Sequence, residues 1–228
     1  MATLLLRLAA PLQSWGEGSK FETRKTNREP TKSGVIGLLA AALGLRRDDA
    51  AGLARLNSLH FAVRTERDGS LLVDFHTANR EEDRKKGKAP YVTYRHYLQD
   101  AVFLAGLESE DAVLLQELEA ALHHPVYPLY LGRRSCPPTL PLCLGIREGA
   151  LLDVLKTEPS LVPHRKSDGM LIVADADPAD PAAVPQRDLP VSFSPVHRQY
   201  VFRPVREWRE KLPAMAEKTE HDPMAELR

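Results

Sequence analysis

The sequence predicts an α+β protein whose first two thirds run strand, helix, strand, strand, helix, with a further strand to close the unit. Three observations carry this. The chain opens on an apolar run, Thr3 to Ala10, with Arg7 as its one charge. Two β-rich runs, Leu59 to Thr65 and Leu71 to Phe75, flank Asp68-Gly69, a hairpin turn signal. Segments with helical spacing stand before and after these strands.

Taken in order, Thr3 to Ala10 reads as a buried strand ended by Pro11. It is too short for a membrane span and lacks the basic start of a signal peptide. No other stretch approaches spanning length, so the protein is expected to be cytoplasmic with no membrane partner. Pro11 to Pro30 is a polar loop holding Trp15 and several charges. Lys32 to Leu43 reads as a helix, with Thr31 as N-cap and Gly44 as its C-terminal stop. Its body is apolar on nearly all sides, which predicts burial. Arg80 to Lys88 is a charged break, and Tyr91 to Ala105 reads as one extended return strand. Ser109 to His124 is an amphipathic helix, with Ser109 as its cap and Leu114, Leu118 and Leu122 at helical spacing. A strand at Leu140 to Ile146, or one from the C-terminal part, would complete a ferredoxin-like or RRM-like βαββαβ unit over residues 1–146. Residues 147–228 form a smaller β-rich region. Strands at Met170 to Ala174 and Gln199 to Val205 flank a loop, Asp175 to Pro190, and a polar tail over 212–228 is expected to be disordered.

Lys plus Arg and Asp plus Glu number 31 each among 228 residues, so net charge does not address a polyanionic partner. The distribution of charge has to. Cys136 and Cys143 lack a second cysteine pair or a neighbouring histidine pair, so they do not form a zinc pattern and read as two small buried side chains. His76, His96, His123 and His124 are scattered without metal-ligand spacing. No metal or cofactor is implied.

Three basic segments stand out. Lys20 to Lys32 holds Lys20, Arg24, Lys25, Arg28 and Lys32; Arg80 to Tyr97 holds Arg80, Arg84, Lys85, Lys86, Lys88 and Arg95; Arg198 to Lys211 is the third. Phe21, Tyr91, Tyr94, Tyr97, Tyr200, Phe202 and Trp208 are interleaved with them. Cations track a phosphate backbone and ring faces stack on unpaired bases. Each segment taken alone also fits a solvated loop or helix face.

A sharper signal is Pro30-Thr-Lys-Ser-Gly-Val-Ile-Gly37, which sets Thr31, Lys32, Ser33 and Gly34 at a helix start. Backbone N–H groups there lack internal partners and attract anions. The same residues equally make a plain capped helix, and the P-loop glycine spacing is absent. In Leu131-Gly-Arg-Arg-Ser-Cys-Pro-Pro138, Gly132 allows a tight turn, and Arg133 and Arg134 offer planar forks for phosphate or structural ion pairing. Tyr94, His96 and Lys88 could in principle supply the base and acid of a metal-independent RNA cleavage, although a lone histidine on a strand more often reads as structural.

Three stretches together resemble the CasD family, RAMP-superfamily subunits of the type I-E CRISPR effector complex, Cascade. They are Leu-Leu-Leu-Arg-Leu-Ala-Ala-Pro-Leu-Gln-Ser-Trp-Gly16, Pro30 to Gly44, and Tyr130-Leu-Gly-Arg-Arg-Ser-Cys-Pro137. The resemblance implies an RRM-like domain with a long hairpin insertion, the thumb, over roughly residues 77–98. It implies a non-catalytic subunit that caps the 5′ handle of crRNA, beside a backbone subunit and the large subunit that reads the protospacer-adjacent motif. Carried over by position, Arg84, Lys85, Lys86 and Lys88 form a basic thumb tip that approaches RNA, and Lys32 with its neighbours holds handle phosphates. Gly132-Arg-Arg stands in for the glycine-rich loop of RAMP proteins. A related subtype uses its version as the crRNA-processing nuclease, so a metal-independent endoribonuclease is the alternative. A protein-only scaffold is a third reading.

Overall fold

The computed structural model describes residues 1–16, 22–162 and 169–210. The expected disordered tail at 212–228, with Lys20, Phe21 and Lys211, lies outside them. The chain begins with β1 (Ala2–Ala9), a short β2 (Leu12–Gln13) and β3 (Thr23–Arg24). Two helices follow, α1 (Lys32–Leu43) and α2 (Ala50–Asn57), then β4 (His60–Arg67) and β5 (Ser70–Ala78). A short helix α3 (Glu81–Lys85) joins β5 to β6 (Tyr91–Gln99), and β7 (Val102–Ser109) leads into α4 (Ala112–His123). The last third holds β8 (Cys143–Glu148), α5 (Leu151–Thr157), β9 (Met170–Asp175), β10 (Val184–Ser192) and β11 (Gln199–Glu210).

Seven strands form one sheet in the order β10-β11-β9-β4-β7-β1-β8. The pairs within it whose registers are resolved are antiparallel. Side chains alternate across a strand, so β1 serves two cores. Leu4, Leu6 and Leu8 point into the larger one, with Phe61 and Phe103 and the faces of α1 and α4. Leu5 points the other way, with Ala62, Leu104 and Ala174, against Leu151, Val154 and Leu155 of α5. Gly106 makes that second contact possible, because a Cβ there would lie 2.5 Å from Leu151 Cδ1.

The caps of α1 fall where the sequence places them. Thr31 accepts from the Gly34 N–H at 3.2 Å, and Gly44 adopts φ 75° beyond the last turn. Helix α4 starts later than predicted. Asp111, not Ser109, caps it by accepting from the Leu114 N–H at 3.0 Å, while Ser109 Oγ accepts from the Asp111 N–H. The predicted strand Tyr91 to Ala105 is two strands in two sheets, broken where Asp100 takes φ 56°. Asp68-Gly69 does not close a hairpin ladder either: β4 pairs with β7 and β9, whereas β5 pairs with β6. Gly69 (φ 69°) hands the chain between sheets at a point where a Cβ would lie 2.4 Å from the Gln99 carbonyl oxygen.

The second sheet is built on β6. β5 runs along one edge, and β2 and β3 share the other. The stretch predicted as a loop at 175–190 contains the start of β10. Its strand pairs with β11, so the C-terminal residues continue the main sheet. Among the described residues no helix is long and apolar enough to cross a membrane.

Candidate nucleic-acid interface

The predicted anion site at the start of α1 is occupied by the protein's own carboxylates. The Lys32 N–H donates to Asp188 Oδ2 at 2.8 Å, and Lys32 Nζ lies 2.8 Å from Asp175 Oδ2. Arg203 ties the two acids together, with Nε and Nη2 on Asp188 at 2.7 and 2.9 Å and Nη1 on Asp175 at 2.5 Å. Lys32 is 5% exposed, Asp188 1% and Arg203 6%. The helix N-terminus does attract an anion, as its amides and dipole require, but that anion is Asp188. Thr31 is buried as the cap, and Ser33 Oγ lies 3.4 Å from Thr31 Oγ1. Gly34 is needed for packing: a Cβ there would lie 2.8 Å from the Trp15 ring. Thr31, Lys32, Ser33 and Gly34 are therefore withdrawn from the candidate interface. The covering acids come from β9 and β10, 143 and 156 residues downstream of Lys32, in a part of the sequence that offers no motif.

A second cluster of cations lies at the base of the β5–β6 hairpin. Arg24 on β3 pairs in register with Arg95 on β6. Arg133 reaches them from the loop after α4: its Nη2 donates to the Arg24 carbonyl at 2.8 Å, and its Cζ stands 4.6 Å from the centroid of the Tyr97 ring. Arg134, its neighbour, is exposed. The loop holding these arginines is fixed by backbone bonds, from the Leu131 N–H to the Cys136 carbonyl at 2.8 Å and from the Ser14 N–H to the Leu131 carbonyl at 3.1 Å. Gly132 is obligatory in it. Its φ is 86°, and a Cβ would fall 1.7 Å from the Ser14 carbonyl oxygen.

Two guanidinium nitrogens in this cluster, Arg95 Nε and Arg133 Nη1, are buried and have no hydrogen-bond acceptor among the described residues. Buried donors are nearly always paired, so two orphans on neighbouring arginines call for an acceptor, a water, an ion or a ligand oxygen, that the described residues do not supply. Asp74, the cross-strand neighbour of Arg95, does not fill that role, because its carboxylate lies 2.5 Å from His76 Nε2. The electrostatics of Tyr97 agree. Burial pushes its phenol up, but Ser135 and the guanidiniums of Arg133 and Arg95 around it outweigh burial and bring it below the usual phenol range. Arg95, Tyr97 and Ser135 were not singled out as a group by the sequence reading. The signal available was Arg95 and Tyr97 at i and i+2 on one strand, which puts both on one face.

The predicted thumb tip is α3 and the turn after it. Arg84, Lys85, Lys86 and Lys88 are all exposed there. Lys85 pairs with Glu81 at 3.1 Å and Lys88 with Asp83 at 3.0 Å. Exposed pairs of this kind hold a cation weakly, so both remain exchangeable for a phosphate. Between tip and base the hairpin shows water an apolar face: Val73 is 50% and Phe75 58% exposed, and Phe75 meets Tyr94 edge-on at 5.6 Å. Tyr94 and His96 lie on this face, opposite Arg95 and Tyr97, and Lys88 is held at the tip. The residues suggested for cleavage are thus not gathered at the cationic cluster. In the third basic segment, Arg203 is spent on the buried acids and Arg206 pairs with Asp180 at 3.3 Å.

Fold and site together define an α+β protein with a large antiparallel sheet and a β5–β6 hairpin whose base carries two buried guanidinium nitrogens lacking an acceptor among the described residues. The family model described as CRISPR-associated protein (Cas_Cas5) matches residues 3–206. The CRISPR system Cascade subunit CasD of Escherichia coli (strain K12) is 44% identical, over 62% of this chain and 70% of that protein. Among solved structures, a chain of a CRISPR RNA-guided surveillance complex is similar with a TM-score of 0.80 at 36% identity, covering 93% of this chain and 91% of that one. A crystal structure described as a Cas protein gives 0.72 at 38% identity, covering 91% and 94%. The chain belongs to the CRISPR-associated Cas5 family.

Proposed function

We propose that the protein is a non-catalytic subunit of a type I-E CRISPR antiviral effector complex and caps the 5′ handle of crRNA. In this reading β1, α1, β4, β7, α4 and β8 are the RRM-like βαββαβ unit. The strand order β4-β7-β1-β8 supports it, since it sets the first and third strands side by side at the centre. The β5–β6 hairpin is the thumb, longer than the sequence suggested because β5 begins at Ser70.

The observation that carries the proposal is the pair of orphaned guanidinium nitrogens of Arg95 and Arg133 beside Tyr97. A phosphodiester supplies the acceptor both lack, in the planar geometry arginine prefers. Arg24 and Arg134 extend the cationic track, and Arg84, Lys85, Lys86 and Lys88 meet the backbone further along the hairpin. Phe75 and Tyr94 offer ring surface to unpaired bases or to the neighbouring backbone subunit. The large subunit that reads the protospacer-adjacent motif is the other expected partner.

The test is a titration of the assembled complex lacking RNA, or of the purified chain, with handle RNA over a salt series. Arg95→Ala and Arg133→Ala should each weaken binding about tenfold or more, the scale of a lost charged hydrogen bond. Each lost phosphate contact should flatten the log–log salt slope by about 0.7. Unchanged affinity and slope in both variants would remove this cluster from the RNA site. Discrete cleavage of repeat RNA in chelator, abolished by His96→Ala, would favour the nuclease reading instead.

A further inference from the structure

We infer that Glu119, His123 and Cys143 form a zinc site that fastens α4 to the edge strand β8. One ligand atom from each of the three side chains lies within 4.8 Å of the others. Glu119 and His123 are four residues apart on α4, so they share one helical face one turn apart. Cys143 opens β8, which α4 packs against, and its thiol supplies the third corner. Glu119 is half-buried, His123 exposed and Cys143 buried, and the Glu119 carboxylate is near enough to act on the Cys143 thiol.

Sulfur, imidazole nitrogen and carboxylate oxygen are the three donors zinc accepts, and this mixture disfavours the hard ions magnesium and calcium. Ligand atoms on a tetrahedral zinc stand about 3.3–3.8 Å apart, as bonds of about 2.0–2.3 Å require. Closing the group from its present spacing therefore takes about 1 Å of side-chain rotation. His123 is exposed and free to make it, whereas Cys143 is buried and held in its strand. Thiolate and carboxylate together balance a divalent charge, so the loaded site is neutral. Arg147, the nearest competing cation, is engaged elsewhere: Nε and Nη2 bond Glu158, each at 3.1 Å, and Nη1 bonds the Leu144 carbonyl at 3.2 Å. Water takes the fourth position. The sequence does not betray this group because its third ligand comes from a strand 20 residues beyond the helical pair.

The experiment is a cobalt(II) titration of the full-length chain after chelator treatment and reduction. One equivalent should produce a thiolate-to-cobalt charge-transfer band and tetrahedral ligand-field bands, which zinc(II) then bleaches. Cys143→Ser should lose the charge-transfer band, and Cys136→Ser should keep it. His123→Ala changes only an exposed side chain, so it keeps the fold and should weaken cobalt binding at least about tenfold. Zinc should raise the melting temperature of the wild type and not of His123→Ala. Absence of a thiolate band in the folded wild type, or a band that survives Cys143→Ser, overturns the site. So does equal cobalt affinity in the wild type and His123→Ala.

Discussion

The start of α1 and the base of the β5–β6 hairpin are both rich in cations, yet they end in opposite states. At α1, Lys32 and Arg203 face Asp175 and Asp188, and every charge has a partner inside the chain. At the hairpin, Arg95 and Arg133 converge on the Tyr97 phenol, Arg133 also donates to the Arg24 carbonyl, and two of their buried nitrogens face no acceptor among the described residues. The difference teaches that counting cations does not find a phosphate site. The deciding quantity is the carboxylates within reach, because each ion pair formed in the chain removes one contact available to a ligand.

The largest effect that would test this contrast is Asp188→Ala. It leaves the Lys32 N–H and two guanidinium nitrogens of Arg203 buried without their acceptor, and breaking a buried pair by removing one member costs about 3–5 kcal/mol. Urea unfolding should show that loss, while RNA binding by the remaining folded protein keeps its salt slope. A stable variant with a flattened slope would mean that the α1 cluster belongs to the RNA site after all. Arg133→Ala should do the reverse, costing affinity and little stability.

Gly132→Ala comes next. A non-glycine residue in that backbone region costs on the order of 1–3 kcal/mol, and the collision with Ser14 adds to it. The loop must shift, and Arg133 shifts with it. Handle RNA affinity should then fall about as far as in Arg133→Ala, and the double variant should be no weaker than Gly132→Ala alone. Additive losses would show that the loop does not act through Arg133.

A smaller effect is spectroscopic. Tyr97 should ionise below the usual phenol range, since burial raises its phenol but Ser135, Arg133 and Arg95 together lower it further. An alkaline absorbance titration should contain this early step and lose it in Arg133→Ala. Bound RNA, by neutralising the guanidiniums, should move it to higher pH. A Tyr97 titration that ignores RNA would mean that phosphate binds elsewhere.

Much of the framework was legible because it rests on local signals. The apolar β1, the Thr31 and Gly44 caps of α1 and the spacing of Leu114, Leu118 and Leu122 each report a short-range requirement. The misreadings lie where long-range partners decide. Nothing within Thr31 to Gly34 reveals that Asp188 will cover it. Tyr91 to Ala105 reads as one strand because its break, a left-handed Asp100, is not marked by glycine or proline. Arg24 and Arg133 were picked out by charge, but what sets them apart is an absence of acceptors, which only their packing displays.

Glu29 carries the smallest prediction, and it is the converse of the hairpin site: a half-buried acid with more negative than positive charge around it. Burial raises its carboxyl most, and the nearby Glu207 and Asp68 raise it further, against smaller opposing contributions from its own backbone and Arg28. A carboxyl raised in the fold binds its proton more tightly there than in the unfolded chain. Its contribution to stability is therefore complete below the unfolded pKa and is lost as pH climbs through the folded one. At neutral pH the charged form opposes folding, and Glu29→Gln should raise the melting temperature slightly. In acid, where Glu29 is already neutral, the two proteins should melt together. A gain that persists in acid would assign the effect to the amide's own hydrogen bonds, and no gain at neutral pH would mean that a cation compensates Glu29 after all.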